Sequence, residues 1–317
     1  MGQKVNIIID TDPGSDDALA LGVASVFFKN NIRAIIATYG NVDAEQTYSN
    51  VINLANLLKI NTNFIKGSHN PLGKDSFTPT DYHGVNGLCG LVLPKAEATP
   101  YDGDFLQDLY DIIKEYKKIR YIAIGPLTNL ARLLDRFPDA EEYIDEAVIM
   151  GGGFEVTNMP NYAEYNFSTD PAAVKKVLAS SVNKLIVPLD TTHQIIFSPA
   201  DIEDITGVKR EALTDDMANP FNVLATLFYL NYDAAVRHNE QGAIIHDATA
   251  LAYLFEGASS SRVVYNLNCD EYGAVRKYID HGDKAVVIDR ISGSFVKKLL
   301  KDTFQAIKEN GNEDIIT

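Results

Sequence analysis

The 317-residue chain has no tryptophan and only two cysteines, Cys89 and Cys269. Two thiols without a CxxC spacing build neither a zinc site nor a disulfide scaffold, so the expected setting is reducing and cytoplasmic. No apolar run reaches the roughly 18 residues that a membrane span needs. The opening Met1-Gly2-Gln3-Lys4-Val5-Asn6 carries no signal-type leader, and Asn6 stands where a myristoylation pattern needs Ser or Thr. Basic residues are scarce as well, with 28 Lys and Arg against 43 Asp and Glu and a formal charge of −15. Such a surface repels phosphate polyanions and argues against a nucleic-acid partner, while a neutral small molecule or a divalent cation suits it. A Gly-Lys-Ser/Thr phosphate loop is missing too, which disfavours a 5′-phosphate.

What is present is a substantial core. Hydrophobic residues make up 46% and charged residues 22%. No Pro/Gly/Ser linker, low-complexity tract or repeat interrupts the chain, so residues 1–317 read as one domain. Short β-branched runs alternate with amphipathic stretches. Strands are expected at Val5–Ile9, Ile32–Ala37, Tyr121–Ile124, Glu146–Met150, Lys184–Val187, Val263–Leu267 and Ala285–Asp289. Helices are expected at Ala18–Phe28, Ala44–Leu58, Asn129–Phe137, Pro171–Ala179, Pro199–Ile205, Thr214–Arg237, His246–Leu254 and Phe295–Lys308. This alternation predicts an α/β fold of Rossmann-like type, a mostly parallel central sheet with helices on both faces.

In such sheets ligands lie beyond the carboxyl ends of the strands. The residues there are Asp10-Thr11-Asp12-Pro13-Gly14-Ser15-Asp16-Asp17, Thr38-Tyr39-Gly40-Asn41, Gly125-Pro126-Leu127-Thr128-Asn129, Met150-Gly151-Gly152-Gly153 and Leu189-Asp190-Thr191-Thr192-His193. Asp10, Asp12, Asp16 and Asp17 crowd one strand end. Clustered carboxylates stay ionised together only if a cation neutralises them, and oxygen ligands alone point to a hard ion, Ca²⁺ or Mg²⁺. Taken singly, Asp16 and Asp17 also suit the first turn of a helix. His246-Asp247 opens a later helix, where Asp247 is a ligand or an N-cap and His246 a proton donor or a surface residue. Asn158, Glu164 and Asn166 offer hydrogen bonds after the glycine-rich turn.

Asp10-Thr11-Asp12-Pro13-Gly14-Ser15-Asp16-Asp17-Ala18 resembles the signature of the inosine-uridine-type nucleoside hydrolases. The resemblance continues in order and spacing over roughly residues 5–255, through Thr38-Tyr39-Gly40-Asn41, His83-Gly84, Gly125-Pro126-Leu127-Thr128-Asn129, Ala163-Glu164-Tyr165-Asn166, Asp170-Pro171, Pro188-Leu189-Asp190, Thr192-His193 and His246-Asp247. It implies Ca²⁺ held by Asp12, Asp17, Asp247 and the main-chain carbonyl of Thr128, with Asp12 as general base for the activated water. It assigns Asp16 and Asn166 to the ribose 2′-hydroxyl, Asn41 and Asp247 to the 3′ side, and Asn158 and Glu164 to the 5′-hydroxyl. His246 falls near the leaving base, His83 at the pocket rim, and Asp10 one layer behind. A homodimer or homotetramer is implied on the same ground.

The chemistry is consistent with these roles. Nearby carboxylates stabilise an oxocarbenium-like ribosyl cation, and a metal ion positions and acidifies water. Thr157 and Met159 depart from the Gly and Trp common in the family, and without tryptophan no indole sandwich can form around a purine. Phe167, Phe221, Phe228, Tyr229 and Tyr232 are the remaining candidates to stack on a base, and His193 and His238 read as structural. The expected activity is Ca²⁺-dependent hydrolysis of purine or pyrimidine ribonucleosides in salvage. The alternatives are a non-catalytic nucleoside- or ribose-binding protein, and a phosphatase of the haloacid dehalogenase type. Binding alone does not require the full ligand set, and the Pro-Gly-Ser-Asp-Asp continuation does not fit the phosphatase.

Overall fold

Alternation along the strands fixes the layers, because successive side chains point to opposite faces of a sheet. In the computed structural model of the protein, which describes residues 5–73, 77, 81–96, 101–255 and 258–313, Ile7 and Ile9 pack into one core and Ile8 into the other. The same split holds for Val148 and Met150 against Ala147 and Ile149. Each fully buried side chain of this kind stabilises the fold by about 1.5–3 kcal/mol.

The strands are β1 (Ile7–Thr11), β2 (Ile32–Ala37), β3 (Asn63–Lys66), β4 (Ile119–Ala123), β5 (Ile144–Met150), β6 (Lys184–Val187), β7 (Ser261–Cys269), β8 (Val275–Tyr278) and β9 (Asp283–Arg290). They form one sheet in the order β3-β2-β1-β4-β5-β6-β9-β7-β8. Strands β1–β6 and β9 run parallel, and β7 pairs antiparallel with both β8 and β9. The mostly parallel α/β architecture expected from the sequence is the one observed. The chain leaves β1 toward β2 and β3, then returns to β4 on the other side. That reversal opens a crevice at the carboxyl end of β1.

The helices are α1 (Ser15–Phe27), α2 (Ala44–Leu57), α3 (Phe105–Tyr116), α4 (Thr128–Arg136), α5 (Tyr165–Thr169), α6 (Pro171–Ala179), α7 (Leu189–Thr192), α8 (Pro199–Thr206), α9 (Pro220–Arg237), α10 (His246–Ala252) and α11 (Gly293–Glu313). Apolar residues of α1, α2 and α8–α11 cover one face, and those of α3, α4 and α6 the other. Local chemistry sets the helix starts. Pro171, Pro199 and Pro220 each stand in the first turn behind a capping Asp170, Ser198 or Asn219. The Asn219 cap starts α9 six residues later than the apolar pattern suggested. Gly22 lets α1 and α9 approach closely, since a Cβ there would fall 2.7 Å from Leu224 Cδ1. No described helix is long and apolar enough to cross a membrane.

Two boundaries bear on function. Strand β1 begins at Ile7 and runs through Thr11, two residues later than expected, so Asp10 lies inside the sheet. It is tolerated there because Tyr121 Oη donates to its Oδ2 (2.7 Å) and Asn129 Nδ2 to its Oδ1 (2.9 Å). Helix α1 begins at Ser15 rather than Ala18, because the Asp17 carboxylate accepts from Gly14 N at 2.8 Å. Asp16 and Asp17 therefore occupy its first turn.

Candidate active site

A cavity of about 430 Å³ opens at the carboxyl edge of the sheet. The loop after β1 gives it Asp12; the first turn of α1 gives Asp16 and Asp17; the loop after β2 gives Asn41; the segment after β5 gives Asn158, Glu164 and Asn166; the start of α10 gives His246 and Asp247; and His83 closes one side. Ten of the twelve residues singled out from the sequence thus line one space. The side chains of the other two do not line it. Asp10 lies beneath the floor, fully buried. Thr128 opens α4 with its hydroxyl engaged at 2.7 Å by Tyr39 Oη and donating at 2.7 Å to Asp170 Oδ2.

Each carboxylate is held by specific donors. Asn41 N donates to Asp12 Oδ2 at 2.8 Å, while Asn41 Nδ2 donates at 2.9 Å to the Asp12 carbonyl. Glycine is required beside this carboxylate, since a Cβ on Gly40 would fall 2.0 Å from Asp12 Oδ2 and one on Gly125 2.6 Å from Oδ1. Thr11 Oγ1 and Gly14 N both donate to Asp17. Asp16, Asp17 and Asp247 converge so that one oxygen from each lies within 4.8 Å of the others. Asp12 stands next to this trio and raises the proton affinity of Asp247 through its charge.

The electrostatics follow from burial. Lack of water pushes Asp12, Asp17 and Asp247 above the usual carboxylate range, and their mutual repulsion adds to it. Asp16 is pushed up to about 6, mainly by burial. Asp10, buried beneath them, rises to about 7. Among the described residues no lysine or arginine lines the cavity. A hard divalent cation suits these residues: all donors are oxygens, they converge, and no side-chain cation offsets their charge.

Around the acids sit groups suited to hydroxyls. Glu164 caps α5, accepting from Asn166 N at 2.9 Å through Oε1, and from Gly152 N at 2.9 Å and Phe167 N at 3.1 Å through Oε2. Asn166 Nδ2 donates to the carbonyls of Ile124 and Met150, both at 3.2 Å, which leaves its Oδ1 as an acceptor. Asn158 Oδ1 accepts from Tyr165 N at 3.0 Å, leaving its amide nitrogen to donate. Residues 7–296 match the family described as inosine-uridine preferring nucleoside hydrolase. The chain belongs to that family.

Its curated relatives include an uncharacterized protein of Schizosaccharomyces pombe, 33% identical over 276 residues that make up 83% of this chain and 80% of the relative. Another is the pyrimidine-specific ribonucleoside hydrolase RihA of Salmonella typhimurium, 31% identical over 255 residues, 79% of each chain. Among solved structures, the purine-preferring ribonucleoside hydrolase from Gardnerella vaginalis superposes with a TM-score of 0.84 at 24% identity, covering 95% of this chain and 98% of that one. That likeness speaks to the fold. Membership of the family makes the protein a hydrolase acting on the N-glycosyl bonds of nucleosides.

The two histidines of the hydrolase's inner cavity are both neutral. Burial holds His83 down to about 4, and burial with His193 and His83 holds His246 down to about 3. Ser15 N donates to His83 Nδ1 at 3.2 Å, so the ring hydrogen lies on Nε2, 3.6 Å from Asp16 Oδ1. Thr192 Oγ1 donates to the Leu189 carbonyl at 3.3 Å and lies 2.7 Å from His246 Nδ1.

The stacking candidates are elsewhere. Phe167, Phe221, Phe228 and Tyr229 are buried in the core, Tyr232 packs against it, and none lines the cavity. The helical spacing of the four on α9 served packing. The wall holds instead Tyr82, whose ring lies 4.9 Å from His83 and 5.0 Å from His238. His193 and His238, read as structural, also line it, together with Glu240 and Tyr165, whose hydroxyl donates to the Gly40 carbonyl at 2.6 Å. His193 and Tyr165 lay within the motifs Thr192-His193 and Ala163-Glu164-Tyr165-Asn166, Tyr82 had only its place beside His83-Gly84, and His238 and Glu240 had no sequence signal.

Proposed function

We propose that this hydrolase splits ribonucleosides into ribose and free base by attack of water, using a Ca²⁺ ion held by Asp12, Asp17, Asp247 and the Thr128 carbonyl. The observation that carries the reading is the convergence of buried carboxylates Asp16, Asp17 and Asp247 beside Asp12, with no basic side chain among them. When bound, the cation offsets their charge, orients sugar hydroxyls and acidifies a water molecule. Asn41 N occupies Asp12 Oδ2, so Oδ1 is the oxygen that takes the proton from water. Asp16 and the free Oδ1 of Asn166 accept the 2′-hydroxyl, Asn41 and Asp247 serve the 3′ side, and Asn158 and Glu164 bind the 5′-hydroxyl. The carboxylates also stabilise positive charge growing on the ribose ring as the glycosidic bond lengthens.

His83 borders the sugar as a donor through Nε2. His246 stands beside the base and shares a hydrogen bond with it. Because every charged side chain lining the cavity apart from the histidines is acidic, neutral nucleosides are accepted and nucleotides repelled. The likeness to pyrimidine-specific relatives supports uridine and cytidine as substrates. The test is ribose release from uridine, cytidine, inosine and uridine 5′-monophosphate after chelation and after adding back Ca²⁺ or Mg²⁺. Loss on chelation, recovery with Ca²⁺ and no action on the monophosphate are expected. A rate indifferent to chelator would remove the metal from the reading.

A further inference from the structure

The mouth of the cavity holds an acid that its local structure disfavours. Helix α9 ends in a left-handed turn, in which Asn239 has φ 63° and Glu240 N donates to the Ala235 carbonyl at 2.9 Å. In such a cap the residue at the place of Glu240 commonly lays an apolar side chain back on the last helical turn. A carboxylate stands there instead, at the helix end where unpaired carbonyls already concentrate negative charge. It also faces a cavity with an acidic floor and, among the described residues, no lysine or arginine in its walls. A residue that breaks several local rules at once, in a functional cavity, points to a ligand.

The carboxylate is free to bind one. Among the described residues no group donates a hydrogen bond to it. His193 Nε2 lies 3.7 Å from its Oε1, outside hydrogen-bond range, and the side chain is 36% exposed. Its place relative to the floor is set by two neighbours. Burial raises the Tyr82 phenol, and the charges of Asp16 and Glu240 add to it, so one ring lies within reach of both the floor and the mouth. The rings of His246 and His193 are 5.4 Å apart, and Glu240 stands beyond the second.

We propose that Glu240 selects nucleosides whose base carries an exocyclic amine, cytidine above uridine. The proposal rests on the hydrolase reading, with ribose on the acidic floor. The base then lies along Tyr82 and His246 and turns its outer edge to Glu240. An ionised carboxylate only accepts hydrogen bonds. The 4-amino group of cytosine offers it hydrogens, whereas the 4-oxo group of uracil offers lone pairs that the carboxylate repels. Neither group belongs to the bond that breaks, so Glu240 acts on the choice of substrate and not on the chemistry.

The test measures kcat/KM for cytidine, uridine and N4,N4-dimethylcytidine, which keeps the cytosine ring but has no hydrogen on its amine. Wild-type enzyme should favour cytidine about tenfold over each of the others, the scale of one hydrogen bond to a charged group. Glu240→Gln is isosteric, and its amide both donates and accepts, so the cytidine-to-uridine ratio should fall to about one. Glu240→Ala should lower the cytidine-to-dimethylcytidine ratio as well, which separates the lost hydrogen bond from the bulk of the methyl groups. Wild-type ratios near unity, or ratios that survive both substitutions, would overturn the proposal. So would uridine favoured over cytidine and lost on 3-methylation, since Glu240 would then read the ring N–H of uracil. An enzyme inactive on all three would instead sink the hydrolase reading, and this proposal with it.

Discussion

Cation binding should stabilise this protein far more at pH 8 than at pH 4.5. Asp16 is pushed up from 3.8 to about 6 by burial. A carboxylate with a raised folded pKa contributes stability that is complete below 3.8 and is lost as pH climbs through about 6, since the unfolded chain releases its proton first. Two pH units at 1.36 kcal/mol each make this loss about 3 kcal/mol for Asp16 alone. Asp12, Asp17 and Asp247 shift in the same direction and enlarge it. Unfolding entropy near 2.1 cal/mol/K per residue converts 3 kcal/mol into about 4 °C for a chain of this length. Thermal unfolding with chelator and with saturating Ca²⁺, at both pH values, isolates the effect. Surface carboxylates held low, such as Asp201 at about 2 beside Lys297, cancel in the difference. The Ca²⁺ increment at pH 8 should exceed that at pH 4.5 by at least that amount. Equal increments at the two pH values would refute the placement of the ion among these acids.

Three further perturbations test the remaining geometry. Asp12→Asn should cut kcat on uridine by roughly a thousandfold with an unchanged circular dichroism spectrum, and a wild-type rate would end its role as base. Gly125→Ala puts a Cβ 2.6 Å from Asp12 Oδ1; kcat should drop at least about tenfold, and full activity would show that the carboxylate is not held where the reaction needs it. Tyr82→Ala removes the ring beside His83 and His238. KM for uridine should rise about tenfold, the equivalent of a lost aromatic contact, with kcat nearly kept; an unchanged KM would place the base elsewhere.

The parts of the fold legible in the sequence were those where one pattern dominates. Strands β2, β5 and β6 are short β-branched runs, and α6 and α8 carry their own proline and cap. Strand β3, Asn-Phe-Ile-Lys, and strand β8, Val-Arg-Lys-Tyr, were not read, because half-exposed strands near the sheet edges show no apolar run. Helix α3 was also missed, although Leu109, Tyr110 and Ile113 mark its buried face. The floor of the site was legible because a dense run of aspartates after a buried strand has few other uses. The mouth was not, because Tyr82, His193 and the His238–Glu240 stretch lie far apart in the chain, and only the fold brings them together.

The acidic floor is drawn from distant parts of the chain: Asp16 and Asp17 open α1, Asp247 opens α10, and these helices pack against each other. During synthesis the first pair leaves the ribosome long before the third partner exists. A nascent chain thus carries an acidic hook without its cage, and only docking of the late helix completes it. Capture of an ion there would act as a clasp between the first helix and a much later one, which a chain halted before α10 could never fasten.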